Sequence, residues 1–320
     1  MLTSVEICAG AGGQALGLEQ AGFEHLAAVE IDSDACNTLR ANRPGWNVIE
    51  ADLHDWDPTP YKGVDLFAGG VPCPPFSVAG KQLGADDERD LFPRALEIIE
   101  AIGPQAVMLE NVKGLLSKRF ADYRYEILKA LGSLGYVVDW RLVNASNYGV
   151  PQLRPRSILV ATHKDLDGYF QWPESRPELA PTVGETLEDL MAANGWQGAA
   201  NWAKNAGKIA PTLVGGSKKH GGPDLGPTRA KKAWEELGVN GKSIAEEAPE
   251  PEFEGMPRLT VRMAARIQGF PDSWEITGKK TAAYRQVGNA FPPPVSAAIG
   301  KALAEFIEMN QGANNERLVA

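Results

Sequence analysis

The chain has 320 residues, of which 43% are hydrophobic, and its formal net charge at pH 7 is −9. This length is sufficient for a large core and for two domains. No run approaches the roughly 18 apolar residues of a membrane span, and the first residues lack the basic and apolar regions of a signal peptide. The three cysteines have no metal-ligand spacing and suit a reducing cytoplasm. The acidic net charge argues against a nucleic-acid partner unless the basic residues are clustered, and they are clustered here.

The chain begins with a predicted strand, turn and helix. Residues 5–8 are predicted to form a strand, residues 9–13 a glycine-rich turn, and residues 14–22 a helix. This order is typical of the start of a doubly wound α/β sheet. Glycines at a helix N-terminus let a ligand approach the backbone closely, although many α/β proteins have such a turn for packing reasons alone.

Acidic residues follow the second and third predicted strands, residues 26–29 and 47–50. Glu30 lies about 20 residues after the glycines, where an acid binds a ribose hydroxyl in nucleotide-type folds. A helix cap by Asp32 is compatible with that role. Asp52 lies in the corresponding place after the third strand.

A cysteine between two prolines follows the fourth predicted strand, residues 64–68. Pro74 disfavours the helical region at Cys73, and a proline cannot donate to a central strand. Cys73 is therefore predicted to be extended at a strand end, and alone among the three cysteines to face the crevice there. The alternative is a small core residue in a proline-rich turn. Residues 78–90 are predicted to form a mobile loop.

The next elements bring further functional groups to the same edge. They are predicted as helices over 91–102 and 120–134 and as strands over 105–109, 136–143 and 157–161. The short loop between the last two strands predicts an antiparallel pair. Arg154 and Arg156 precede the last strand, so they are expected beside Glu110 at the edge where the parallel strands end. A helix cap by Glu110 and surface pairs for the arginines remain alternatives.

The character of the sequence changes near residue 165. Prolines, glycines and tryptophans become frequent, and basic residues accumulate over 204–232, where Asp224 is the only acid. Residues 215–222 are predicted to be a flexible basic loop, either a solvated surface or a phosphate-contacting one. Helices are predicted over 259–268 and 295–309, followed by a frayed polar tail.

A thiol, a carboxyl group and a guanidinium at one edge fit methylation of a carbon that is not nucleophilic by itself. C5 of cytosine becomes reactive when a thiolate adds at C6. An acid at N3 favours that addition, and an arginine can hold O2 and favour the thiolate. A base within a duplex must be flipped out to be reached.

The ordered motifs resemble those of the cytosine-5 DNA methyltransferases of the bacterial restriction–modification type, over nearly the whole chain. The motifs are Cys8 to Gly13, Glu30, Asp52, Pro72-Cys73, Glu110-Asn111-Val112, Gln152-x-Arg154-x-Arg156, Arg258 to Asp272, and Gln286-x-Gly288-Asn289-Ala290. The resemblance implies a doubly wound mixed α/β sheet of the S-adenosylmethionine-dependent methyltransferase type, with a second, smaller and irregular target-recognition domain. The catalytic domain is expected over 1–165 and 284–320, and the target-recognition domain and hinge over 166–283, with the variable part at about 183–257.

The resemblance also implies the site. Cys73 is expected to form a covalent adduct with C6 of a flipped-out cytosine, Glu110 to act at N3, and Arg156 to hold O2 while Arg154 braces the site. The expected cofactor contacts are Cys8, Ala9, Gly10, Gly12, Gly13, Glu30, Ile31, Asp52, Leu53, Pro72, Leu91, Asn289 and Ala290. The expected DNA contacts are Ser77, Lys81, Gln152, Lys218, Lys219 and His220.

The cofactor is expected to be S-adenosylmethionine, with S-adenosylhomocysteine as product and no metal. The expected partners are double-stranded DNA and a cognate restriction endonuclease, with no membrane; the protein is expected to be a cytoplasmic monomer. Two positions depart from the family pattern, Cys8 where the family usually has Phe and Pro74 where it usually has Gln. The DNA recognition sequence does not follow from the motifs.

Three other functions compete with this reading. A tRNA cytosine methyltransferase on the same scaffold would carry a second Cys-Phe-Thr motif, and no cysteine follows Cys73. A silent DNA-binding relative would be expected to lose Cys73 or Glu110. A nicotinamide-dependent oxidoreductase would not need a cysteine between prolines.

Overall fold

A computed structural model describes residues 1–72, 90–216 and 222–319, with the side chains of 313–319 left out. The predicted loop over 78–90 lies outside the described residues except for Asp90. Six predicted site residues also lie outside them: Cys73, Ser77, Lys81, Lys218, Lys219 and His220.

The centre of the fold is one seven-stranded sheet of strand order β3-β2-β1-β4-β5-β7-β6. The strands are β1 (Leu2–Ile7), β2 (Phe23–Glu30), β3 (Val48–Glu50), β4 (Leu66–Gly70), β5 (Ala106–Val112), β6 (Tyr136–Asn144) and β7 (Pro155–His163). β1 to β5 pair in parallel, and β7 runs antiparallel to both β5 and β6. The predicted doubly wound mixed sheet is confirmed, and so is the antiparallel pairing of its last two strands.

Helices cover both faces of this sheet. They are α1 (Gly13–Gln20), α2 (Ser33–Asn42), α3 (Phe92–Ile102), α4 (Ala121–Ser133) and α10 (Pro293–Val319). Successive strand residues point to opposite faces. Val5 and Ile7 accordingly share a core with Ile98 of α3, whereas Ala68 shares one with Ile299 of α10. The chain thus returns to the sheet at its C-terminal end, and α10 continues to Val319 where a frayed tail was predicted.

The region between β7 and α10 contains more helix than the sequence predicted. Its helices are α5 (Val183–Met191), α6 (Ala199–Asn205), α7 (Thr228–Glu235), α8 (Val261–Ile267) and α9 (Lys280–Asn289). Only α8 was predicted. The other four lie in the part of the sequence where frequent prolines and glycines indicated loops. These helices pack around a cluster of buried residues that includes Trp202, Trp234 and Met263 and that continues to Leu16 of α1 and Leu39 of α2.

Several predicted bounds shift by a few residues. β5 extends to Val112, so that Glu110 lies within the strand and not after it, and β4 ends at Gly70. Within the three described ranges, no helix combines the length and apolarity needed to cross a membrane.

Candidate active site

A cavity of about 590 Å³ opens at the carboxyl ends of β1, β2 and β4. In a parallel sheet this edge is the usual place for a ligand. The structure brings eleven of the thirteen predicted cofactor contacts to its lining: Cys8, Ala9, Gly10, Glu30, Ile31, Asp52, Leu53, Pro72, Leu91, Asn289 and Ala290.

The other two predicted contacts, Gly12 and Gly13, have packing partners instead. A Cβ on Gly12 would lie 2.5 Å from Leu39 Cδ2 and 2.8 Å from Trp274 Cζ2, and one on Gly13 would overlap the carbonyl oxygen of Phe291. Gly12 also has a φ of 81°, in the left-handed region that favours glycine. These two glycines therefore bring the loops near Trp274 and Phe291 against the turn.

Glu30 is fixed at the cavity by backbone donors. Its Oε2 accepts from Gly10 N at 2.7 Å, and its Oε1 accepts from Ile31 N at 2.9 Å and Asp32 N at 2.8 Å. Hydrogen bonds to a carboxylate are the strong class, so the orientation of Glu30 is set before any ligand binds. Asp52 is held more loosely, since its Oδ1 accepts from His54 N at 2.9 Å while the side chain remains exposed.

Glu6 and Gln14 are buried polar residues of the cavity lining that sequence reasoning missed. Glu6 is 1% exposed, and neither of its carboxyl oxygens has a hydrogen-bond partner of normal geometry among the described residues. Burial, and secondarily the Glu30 charge, raise the pKa of Glu6 well above its usual value of 4.5, and the Ala15 amide offsets this only in part. Gln14 donates to Met108 O at 3.4 Å but leaves its own Oε1 without a partner. An acid inside the apolar strand of residues 5–8 was the available signal.

Cys8 lies at the cofactor cavity, where a cofactor contact was predicted, but it was not expected to share that cavity with a catalytic group. It lines the same cavity as Glu110, although the sequence reading reserved the crevice for Cys73. Among the described residues it is the one non-glycine with a positive φ, 51°, a conformation that carries strain for an L-residue. Burial raises the pKa of its thiol, as do the nearby carboxylates with Glu30 foremost. Cys36 is buried on α2, with its Sγ 3.5 Å from Glu30 O.

The predicted carboxyl and guanidinium meet at the edge of this cavity. Arg156 Nε lies 2.6 Å from Glu110 Oε1, and both side chains are almost fully buried. Burial lowers the pKa of Arg156, and Glu110 opposes that shift. Gly70 is the register partner of Glu110, and a Cβ at Gly70 would be in ordinary van der Waals contact with Glu110 Oε2, at 3.5 Å.

Asn111 and Leu91 hold the chain on either side of the undescribed segment 73–89. Asn111 Nδ2 donates to Val71 O at 2.7 Å, and Leu91 N donates to Pro72 O at 3.2 Å. The two residues before Cys73 are thereby tied down, Val71 to the end of β5 and Pro72 to the start of α3. The position of Cys73 itself stays a prediction.

The structure does not bring Gln152 and Arg154 to a solvent-facing surface. Both residues are completely buried. Arg154 donates to the carbonyls of Leu213, Gly288 and Ala290, each at 2.9 Å. Gln152 accepts from Leu213 N at 2.8 Å and donates to Gln268 Oε1 at 2.7 Å. A DNA contact by Gln152 stays a prediction.

In the described ranges, no group of three or more His, Cys, Asp or Glu residues has a geometry that could hold a metal ion. A doubly wound sheet with a glycine turn, acids at its carboxyl edge and a buried carboxylate–guanidinium pair beside the cavity are typical of an α/β enzyme scaffold with a site for a nucleoside-type ligand.

The comparisons with known proteins narrow this class. Residues 2–305 match the family of C-5 cytosine-specific DNA methylases. The chain belongs to that family and is a DNA (cytosine-5-)-methyltransferase, as the motif order predicted.

Two bacterial relatives are similar over almost the whole chain. The Type II methyltransferase M.NaeI of Lentzea aerocolonigenes is 57% identical over 324 residues, which cover 99% of this chain and 78% of that protein. The Type II methyltransferase M.NgoMIV of Neisseria gonorrhoeae is 54% identical over 309 residues, covering 96% of this chain and 98% of that protein. Among solved structures, Spodoptera frugiperda DNMT2 aligns with a TM-score of 0.67 at 19% identity, over 95% of this chain and 100% of that one. At that identity the likeness shows the shared fold.

Proposed function

We propose that this methyltransferase uses S-adenosylmethionine to methylate a flipped-out cytosine within a specific duplex sequence, as the modification enzyme of a restriction–modification system. The observation that carries the proposal is the Glu110–Arg156 pair at the edge of a cavity lined by Glu30 and Asp52. The names of the two relatives, both Type II methyltransferases at more than half identity, support the restriction–modification role.

The residues of the cavity fit S-adenosylmethionine. Glu30 would hold the ribose hydroxyls, Asp52 the adenine amino group, and the exposed side chain of Ile31 would pack against the adenine ring. At the buried end, Glu6 and Gln14 offer oxygens without partners to the cationic part of the cofactor. S-adenosylmethionine would supply the methyl group as an electrophile, and S-adenosylhomocysteine would remain as product.

The proposed chemistry uses this chain's own groups. The Cys73 thiolate adds to C6 of cytosine, so that an Sγ–C6 bond forms while N3 takes a proton from Glu110 and Arg156 holds O2. C5 then carries the nucleophilic electron pair and accepts the methyl group. Water then takes the C5 proton, the Sγ–C6 bond breaks to release the Cys73 thiolate, and N3 returns its proton to Glu110.

The remaining parts of the chain would bind the substrate. We assign residues 166–283 to target recognition and hinge, with duplex DNA between this region and the sheet edge, and Lys218 and Lys219 at phosphates. The enzyme would act as a monomer on DNA in the cytoplasm, alongside a cognate endonuclease.

Bisulfite sequencing of host DNA tests the proposed activity. Expression of the chain in a methylation-free host is expected to give 5-methylcytosine at one short recurring sequence, which identifies the recognition site. Cys73→Ala is the matched control and is expected to give none. Labelled methyl transfer to tRNA in place of DNA would overturn the proposal.

A trapped complex tests the nucleophile separately. After methyl transfer a fluorine at C5 cannot leave as a cation. Duplex DNA with 5-fluorocytosine at the recognition site is therefore expected to give a denaturant-resistant adduct with the wild-type enzyme in the presence of S-adenosylmethionine. Cys8→Ala and Cys36→Ala should retain the adduct, and Cys73→Ala should lose it while still binding DNA. An adduct mapped by mass spectrometry to Cys8 or Cys36 would contradict the assignment.

A further inference from the structure

Gln152 and Arg154 hold one residue of the region between β7 and α10 from two sides. Arg154 Nη1 donates to the carbonyl of Leu213, and Gln152 Oε1 accepts from the amide of the same residue. The backbone adds Leu153 N to Ala210 O at 2.7 Å, and Thr212 Oγ1 donates to Leu153 O at 2.6 Å. Residues 210–216, here called the recognition segment, are thereby attached to the start of β7.

The same two side chains also hold the C-terminal end of α9. Arg154 Nη2 donates to the carbonyls of Gly288 and Ala290. The last carbonyls of a helix have no partner within the helix, and a cation is favourable there. Gln152 reaches the same place through Gln268, whose Nε2 donates to Ala290 O.

The recognition segment also touches α9 directly. A Cβ on Gly215 would lie 2.5 Å from Arg285 O and 2.6 Å from Asn289 Oδ1, and one on Gly288 would overlap the backbone of Gly215. Asn289 Nδ2 donates to Gly216 O at 3.2 Å. Two backbones this close cannot shift past each other without breaking contacts.

The α9 end that receives these contacts is also a wall of the cofactor cavity. Arg285, Asn289 and Ala290 line the cavity, and Arg285 Nη2 lies 3.3 Å from Asp32 Oδ2 across it. A ligand that fixes this wall therefore also fixes the helix end to which Arg154 binds.

We propose that Arg154, assisted by Gln152, is a positioning residue that makes the recognition segment and the cavity wall behave as one body, so that cofactor and DNA bind with mutual energetic coupling. Arg154 acts here through backbone carbonyls and not on the reacting base. The planar guanidinium can donate hydrogen bonds to carbonyls on two sides at once, which a lysine ammonium cannot do in the same geometry. The inference rests on the proposed function, because it assumes that S-adenosylmethionine occupies the cavity and that the recognition segment belongs to the DNA-binding part.

The test is a ratio of DNA affinities. Fluorescence anisotropy gives the Kd for a labelled, unmethylated duplex that carries the recognition sequence, with and without saturating S-adenosylhomocysteine. Calorimetry gives the Kd for S-adenosylhomocysteine alone. The wild type is expected to bind DNA at least about fivefold more tightly with S-adenosylhomocysteine, the lower end of ordinary coupling between sites. Arg154→Lys is expected to reduce this ratio to less than about twofold, with little change in the Kd for S-adenosylhomocysteine alone.

A control and a milder variant separate coupling from folding. Arg124 donates to the carbonyls of Leu115 and Ser117 on the other side of the sheet, both at 2.7 Å, so Arg124→Lys makes the same change there and should keep the wild-type ratio. Partial unfolding does not lower the ratio, because an inactive fraction scales both apparent Kd values and S-adenosylhomocysteine can only increase the folded fraction. If Arg154→Lys fails to fold, Thr212→Val removes one attachment at a partly exposed position and should lower the ratio.

The outcomes that contradict the proposal are distinct. An unchanged ratio in Arg154→Lys, or in Thr212→Val if Arg154→Lys fails to fold, would overturn it, and so would an equal loss in Arg124→Lys. A wild type that binds DNA and S-adenosylhomocysteine independently would overturn the coupling but leave the proposed function intact. A wild type that binds neither would contradict the proposed function as well.

Discussion

Arg156 and Glu110 form a 2.6 Å ion pair across two antiparallel strands, Arg156 near the start of β7 and Glu110 near the end of β5. The reversed direction of β7 is what allows the pair, because a strand that begins at the carboxyl edge brings its first side chains beside the last side chains of its neighbour. Both groups are about nine-tenths buried. A buried pair of this kind fixes the orientation of each group, and removal of one partner leaves the other uncompensated.

Replacement of Arg156 tests the catalytic role of the pair. Arg156→Leu is expected to lower kcat by about 10²–10³-fold, the usual effect of one lost donor to developing charge, while the affinity for S-adenosylhomocysteine changes little. Single-turnover methyl transfer and calorimetry measure the two quantities, with thermal unfolding to establish the folded fraction. Arg141→Leu is the control, because Arg141 forms an exposed pair with Asp139 at 2.7 Å on the edge strand β6. An unchanged kcat in Arg156→Leu would assign the pair to structure alone.

Replacement of Asp52 tests the cofactor site. Asp52→Ala removes one charged hydrogen-bonding group from the cavity, so S-adenosylhomocysteine is expected to bind more weakly by about 1.5–3 kcal/mol. Asp55→Ala removes an exposed acid three residues further along and should leave the affinity at the wild-type value. Calorimetry on the two variants decides the role, and equal affinities would make Asp52 a structural residue.

Glu6 predicts a pH dependence of stability in the cofactor-free protein. Its pKa is raised on folding, so between about pH 4.5 and its folded pKa the native state holds a proton that the unfolded chain releases. The free energy of unfolding of the wild type therefore falls as pH rises through this window. Glu6→Gln lacks this loss, so its free energy of unfolding should rise relative to that of the wild type by up to about 1.4 kcal/mol per pH unit.

Urea unfolding at pH 5, 6 and 7 measures this difference. Glu185→Gln is a control of opposite sign, because hydrogen bonds from the backbone and side chain of Thr182 lower the pKa of Glu185. The contribution of Glu185 to the free energy of unfolding is lost only as pH falls below about 4.5. Glu185→Gln should therefore leave the pH dependence of this free energy unchanged between pH 5 and 7. A constant difference between Glu6→Gln and the wild type would show that Glu6 is ionised in the folded protein throughout this range.

The basic residues of the undescribed segment 217–221 predict a salt effect. Neutralising Lys218 and Lys219 together should weaken binding to all duplex sequences alike and reduce the salt slope of log Kobs by roughly two. Lys129→Ala with Lys301→Ala makes the same charge change on α4 and α10 and should leave the slope unchanged. A loss confined to the recognised sequence would instead assign the two lysines to base contacts.

The parallel part of the fold could be predicted because its signals are local. Each strand is a short apolar run that ends in glycine, acid or proline, and the edge at which β1, β2 and β4 end is the same by geometry. The positions of Glu30 and Asp52 at the cavity followed from that argument, and the antiparallel β7 followed from one short loop. The domain bounds and the role of Cys73 stay predictions.

Long-range packing decided the rest. The sequence placed Arg154 and Arg156 two residues apart on one strand start, but only the folded chain separates them, one paired with Glu110 and the other with carbonyls 59 and 136 residues away. Glu6 likewise meets the backbone amide of Ala15 on α1, a contact that no local pattern reveals. Motif spacing determines which groups reach one edge of the sheet. The partner that each group finds there depends on segments distant in sequence. The reason is that a buried polar side chain must form its hydrogen bonds with the groups that packing brings near it.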